Sequence, residues 1–275
     1  MLRRPAPFLL LVLALSACAR ATAIPPSTLV PPTLAPVAIN VVTATPAATA
    51  TGAPGYTRHT PAAPITTTIT AADDTALSAA YYTPAIAESV AGEGAPGVVL
   101  VHGLAGANAD WEAFARDLQG NGFAVLVLDL RGYGGSPGPA DWEASVSDVA
   151  AAWRHLSARR EVDRDRTALV GVSLGANLAL LVGANNADVA AVVALSPGDD
   201  YQGVLPNFSS RPVLLVASRD DDPSYQAAQA LAPALAAGET YYYLTAGHGL
   251  AMFTETDLST RLLSWLSVKI GEAKG

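Results

Sequence analysis

Cysteine is almost absent from this 275-residue chain: Cys18 stands alone, so no disulfide can form within it. Positive charge is also sparse, with 16 Lys and Arg against 24 Asp and Glu and a net charge of −8. No basic cluster occurs outside the extreme N-terminus. That argues against nucleic acid as a partner and against electrostatic docking on anionic lipid. Only four histidines occur, and no His/Asp/Glu group stands at ligand spacing, so neither a metal nor another cofactor is expected. No internal repeat is visible. What the chain does have is apolar residues, 51% of the total, ample for a buried core in one good-sized domain.

The N-terminus has its own character. "MLRRPAPFLLLVLALSAC" begins with Arg3 and Arg4 and continues as an apolar run from Phe8 to Ala17. A bilayer span takes about 20 residues, so this run fits a secretory signal better than a transmembrane helix. It ends in "LSAC", Leu15 to Cys18, which resembles the bacterial lipobox. The resemblance implies a signal peptide over 1–18, lipidation of Cys18 and a membrane-anchored lipoprotein outside the cytoplasm. Residues 19–64 are rich in Pro, Thr and Ala and nearly free of charge, and are expected to form an extended tether.

From Ile65 the pattern becomes that of a folded domain, 65–275. "ITTTITA" and "ALSAAYYTPA", separated by "ADDT", read as an antiparallel pair. "GVVLVHG", "AVLVLDL", "TALVGVS", "VAAVVAL" and "RPVLLVAS" are short apolar runs typical of strands buried on both faces. Helical patterns alternate with them: "NADWEAFARDLQGNG", "WEASVSDVAAAWRHLSARR", "LGANLALLVGAN" and "YQAAQALAPALA". "ETYYYLTAG" and "TDLSTRLLSWLSVKIGEA" close the chain as strand and helix. The alternation implies an α/β fold, a three-layer α/β/α sandwich on a mostly parallel sheet. Ligands of such sheets bind off the carboxyl ends of the strands.

The candidate chemistry lies at those ends. "GVSLG", residues 171–175, sits between a buried strand and a helix, the context of a nucleophile turn presenting Ser173. A serine hydroxyl needs a base. His59 lies at the tether boundary, and His155 reads as a solvated or packed residue of its helix. His248, in "LTAGHGLAMF" just after the last strand, falls where the base must fall. An acid must orient the histidine. "ASRDDDPS" offers Asp220, the first carboxylate past its strand, with Asp221 as its rival. Asp199 and Asp200 form a less favoured site for the acid.

The set Ser173, Asp220, His248, in that order, resembles an α/β-hydrolase, and the resemblance runs from about residue 65 to 273. "HGLAG" is similar to the family's HG-x-x-G segment, and "DLRGYGGSPG" to its D-x-R-G-x-G-x-S stretch. The resemblance implies an oxyanion hole from the backbone N–H groups of Leu104 and Leu174. It makes His102 structural and gives Asp129 and Arg131 the role of bracing loops beneath the site. The interval 198–211 is too short for the helical lid of many relatives, so an open site like that of compact dienelactone-hydrolase and esterase types is implied. Tyr133, Tyr201 and Phe253 stand where they could line an acyl pocket or simply pack. The expected function is a monomeric, lipid-anchored serine hydrolase of small-molecule esters. Amide or peptide cleavage on the same residues, and a non-catalytic binding lipoprotein, are the competing readings.

Overall fold

The computed structural model describes residues 62–85, 94–199, 208 and 210–271. The expected signal peptide, Cys18, nearly all of the tether, His59, Asp200 and Tyr201 lie outside them. The elements are β1 (Ile65–Thr70), β2 (Ala76–Tyr82), β3 (Ala95–Val101), α1 (Glu112–Gly120), β4 (Ala124–Leu128), α2 (Trp142–Ser157), β5 (Val162–Val172) and α3 (Leu174–Asn185). They continue with β6 (Ala191–Leu195), β7 (Val213–Ser218), α4 (Asp222–Leu231), β8 (Gly238–Tyr243), α5 (Ala251–Glu255) and α6 (Leu258–Leu266).

The eight strands form one sheet in the order β1-β2-β4-β3-β5-β6-β7-β8. β2 pairs antiparallel with both β1 and β4, and β3 to β8 run parallel. β3, β4, β6 and β7 are buried along their whole length. That is why each reads as an unbroken apolar run. Successive side chains of β3 go to opposite cores. Val99 and Val101 meet α2 and α3, whereas Val98 and Leu100 meet Phe114 and Leu118 of α1 and Leu262 and Leu266 of α6. The sheet is therefore the middle layer of three, and the fold is that of an α/β hydrolase. Only residues 196–212 separate β6 from β7, and no large cap is evident among the described residues.

Some boundaries differ from the pattern. β5 begins at Val162, not Thr167. The charged "VDRDR" segment still pairs, through Ala95 and Val162, across an irregularity between Ala95 and Gly97. Arg166 holds it there by bonds to Asp163 and to the carbonyls of Gly94 and Gly271. Ahead of α1, Asn108–Trp111 makes a tight 3-10 turn. α4 starts at Asp222, with proline in the first turn, where its missing N–H costs nothing. α5 was not visible in the sequence pattern: five residues without a side-chain cap leave no periodicity to detect.

Candidate active site

Strand β5 ends at Val172 and α3 begins at Leu174, so Ser173 alone makes the turn, at φ 54 and ψ −119. An L-residue with a side chain is strained there, and such strain concentrates at working positions. The turn is possible because its flanks lack side chains. A Cβ on Gly171 would lie 2.0 Å from the Gly175 carbonyl oxygen, and one on Gly175 would lie 2.4 Å from that of Val101. The Ser173 N–H donates to the Leu195 carbonyl at 2.9 Å, which fixes the turn to the end of β6.

The loop after β3 closes over the same point. Gly103 comes so near that an added Cβ would meet Ser173 Cβ at 3.1 Å. The Gly106 N–H bonds back to the Gly103 carbonyl at 3.1 Å, with Ala105 at φ 58 between them. This tight turn presents Leu104, whose side chain is 71% exposed. The Leu174 N–H opens α3 and so has no intrahelical acceptor. Leu174 thus directly follows Ser173, and Leu104 follows the glycine that approaches it.

His102 lies beneath, fully buried. Its Nδ1 is 2.7 Å from the Gly103 carbonyl, and its Nε2 accepts from the Leu130 N–H at 3.0 Å. Only the neutral ring protonated on Nδ1 satisfies both. Burial, against the weaker pull of the Gly103 carbonyl, lowers its pKa and keeps it in that form. It braces two loops, as expected of it. Asp129 accepts from the backbone and side chain of Asn108 and from the Gly135 N–H. Arg131 pairs with Asp148 on α2 at 2.5 Å and with Asp73 in the β1–β2 turn at 2.9 Å. Both therefore tie neighbouring loops together.

The histidine's carboxylate is Asp221, not Asp220. His248 Nδ1 lies 2.7 Å from Asp221 Oδ2. A carboxylate only accepts, so Nδ1 carries a proton, and in the neutral ring Nε2 is left as the acceptor. Asp220 turns the other way. It accepts from the Ser218 hydroxyl, which is the largest cause of its lowered pKa, and from the N–H groups of Ala246 and Gly247. The chain bends immediately after β7, where the Asp221 N–H bonds the Ser218 carbonyl. That bend sends the first carboxylate back to the strand end and the second outward to the imidazole. Asp199 has no contact with His248.

The histidine loop packs against the nucleophile strand: a Cβ on Gly249 would meet Val172 Cγ2 at 2.8 Å. Its N–H donates to Ser196 Oγ at 2.9 Å. In the sequence Ser196 and Ser218 are marked only as small hydroxyl residues at strand ends. Phe253 packs on Trp111 and Phe114, at 5.7 and 5.1 Å between ring centres, and Tyr133 sets its ring edge-to-face against His102 at 5.5 Å. Both are packed residues. A separate groove of about 590 Å³ between β8 and α6, lined by Tyr241, Arg261, Trp265 and Lys269, holds no histidine and lies away from Ser173.

The fold is that of the alpha/beta hydrolases. Residues 96–249, more than half of the chain, match the family described as alpha/beta hydrolase fold, and the chain belongs to that family. It is similar to an uncharacterized protein of Mycobacterium tuberculosis, 39% identical over 89 residues that make up 32% of each chain. It is also similar to the quorum-quenching protein AidA of Acinetobacter baumannii, 32% identical over 110 residues, 38% of this chain and 36% of AidA. The aligned segments thus span about a third of the length of these relatives. Among solved structures, dienelactone hydrolase from Anabaena variabilis shares the fold with a TM-score of 0.62 at 20% identity, over 77% of this chain and 97% of that one.

Proposed function

We propose that the chain is a serine hydrolase that cleaves carboxylic esters of small molecules through an acyl-enzyme on Ser173. The observation that carries this is the strained strand-to-helix turn at Ser173, with the loop of a histidine whose Nδ1 is bonded to Asp221 packed against the strand that ends there. In this reading His248 Nε2 removes the Ser173 proton as Oγ attacks the ester carbonyl. The Leu104 and Leu174 N–H groups receive the oxyanion, and each such donor contributes about 3 kcal/mol to the transition state. Collapse breaks the acyl–oxygen bond, and His248 returns its proton to the leaving alkoxide. Water, deprotonated by the same Nε2, then attacks the acyl carbon and releases the acid and free Ser173. Asp221 holds the tautomer and stabilises the imidazolium.

Esters fit best because an alkoxide leaves more readily than an amine. The similarity to a dienelactone hydrolase fold agrees, since a lactone is a cyclic ester. The exposed Leu104 side chain gives the rim an apolar point for the acyl group. Cys18, in its lipobox-like context, would carry the anchor that places this chemistry outside the cytoplasm, at a membrane surface.

The test is a fluorophosphonate probe on the full chain, with the modified residue mapped by mass spectrometry. A single adduct on Ser173, absent from Ser173→Ala, is the expected result. No adduct on folded protein would refute the mechanism and leave a binding protein on a hydrolase fold.

A further inference from the structure

We propose that Ser196 is a positioning residue that sets His248 against Ser173, an inference that rests on reading those two as base and nucleophile. Two consecutive residues at the end of β6 hold the two halves of the site. The Leu195 carbonyl accepts the Ser173 N–H at 2.9 Å, and Ser196 Oγ accepts the Gly249 N–H at 2.9 Å. Ser196 is itself fixed, through its own N–H, to the Val216 carbonyl of β7 at 2.8 Å. One rigid strand end therefore sets the spacing between the nucleophile and the residue after the base.

The conformation of Ser196 supports a role for its hydroxyl. It is fully buried and sits at φ 46, where glycine is the least strained choice. Four non-glycine residues have positive φ among those described: Asp74, Ala105, Ser173 and Ser196. Asp74 belongs to the β1–β2 turn, while the other three surround the candidate site. Strain of this kind persists where the side chain is needed.

The rest of the histidine loop shows what the hydroxyl adds. Gly247 and Gly249 flank His248 at φ 68 and φ 62, so the loop bends sharply on both sides of it. On the first side, Asp220 accepts the Gly247 N–H and Ser218 Oγ accepts the Ala246 N–H at 2.8 Å. On the second side, the clamp is Ser196. Without the hydroxyl, Asp221 still bonds the imidazole, but nothing ties the Gly249 N–H to β6. The imidazole then keeps its tautomer and loses its register on Ser173.

The decisive variant is Ser196→Gly in the full chain, because it removes the hydroxyl and relieves the strain together. The melting temperature should hold or rise. The kcat for p-nitrophenyl acetate and the rate of fluorophosphonate labelling at Ser173 should each fall about 10- to 100-fold, the penalty of a misplaced catalytic group, with KM little changed. Ser196→Ala loses the bond to the Gly249 N–H without relieving the strain, so its melting temperature should drop while kcat falls by the same factor. Wild-type labelling rate and kcat in Ser196→Gly would overturn the proposal. So would a loss of activity that only tracks a loss of stability across the two variants. A wild-type chain that takes no probe at Ser173 would overturn the site itself, and the proposal with it.

Discussion

Asp220 and Asp221 are neighbours with the same charge, yet they bond to different parts of the histidine loop. Asp221 meets the imidazole, and Asp220 meets the Ala246 and Gly247 amides. Their replacements should therefore differ in kind. Asp221→Asn turns the histidine's acceptor into a group that can donate, favouring the wrong tautomer, and should lower kcat by about 10³- to 10⁴-fold. Asp220→Asn keeps an oxygen for the Gly247 N–H and should cost about tenfold or less. Steady-state rates on one activated ester compare them directly, and an equal loss in both would refute the assignment of the acid. Spacing could narrow the acid to this run of carboxylates but not choose within it. The choice depends on the bend after Ser218, which one hydrogen bond decides. Ser173 and His248 stand out in the sequence because glycines bracket both, Gly171 and Gly175 around one and Gly247 and Gly249 around the other. Ser196 does not, since nothing in "ALSPG" foretells a positive φ or a bond to a residue 53 positions away.

At the scale of elements, the buried strands announced themselves because both faces of the sheet are covered, leaving no polar alternation to confuse the pattern. Legibility failed where polar contacts override composition. The charged start of β5 is held in the sheet by Arg166, and α5 is a single turn stabilised by its packing. The Arg131 pairs show the same dependence on tertiary context. Asp148 is fully buried on α2, Arg131 is 8% exposed, and Asp73 reaches them from the surface. Asp148→Ala would leave the guanidinium without its buried partner, at a cost of about 3–5 kcal/mol. In a domain of this size that is roughly a 10 °C fall in melting temperature. Asp73→Asn, at a solvent-exposed position, should cost far less and depend on salt. Thermal melts of the two variants at low and high salt check both statements. A larger effect from Asp73 would mean that the turn, not the helix, is what Arg131 holds.

For the whole molecule, the titrating groups give stability a shape with two edges. His102 and His155 are both held below the usual histidine range, chiefly by burial. An unfolded chain takes up protons at these sites near pH 6.5 while the folded one does not, so stability is full above that value and falls as pH drops below it. The carboxyls of Asp73, held down chiefly by its bond to Arg131, and Asp220, by its bond to Ser218, act with the same sign further down. Stability from them is present above about pH 4 and lost as they protonate. At the alkaline edge the sign reverses for a different reason. Burial raises the pKa of Tyr81, Tyr82, Tyr241, Tyr242 and Tyr243, so above about pH 10 the unfolded chain ionises first and the folded state loses ground. A net charge of −8 works against the acid edge, because protonation relieves self-repulsion as pH falls. At 0.15 M salt the Debye length is about 8 Å, so that long-range relief is largely screened while the buried histidines are not. Calorimetry in 0.15 M salt should therefore give a melting temperature that is flat from about pH 7 to 9 and declines on both sides. The His102→Asn variant, less stable throughout, should show a shallower decline between pH 7 and 5. A wild-type melting temperature that rises over that interval would mean that charge repulsion, not histidine burial, governs the acid edge.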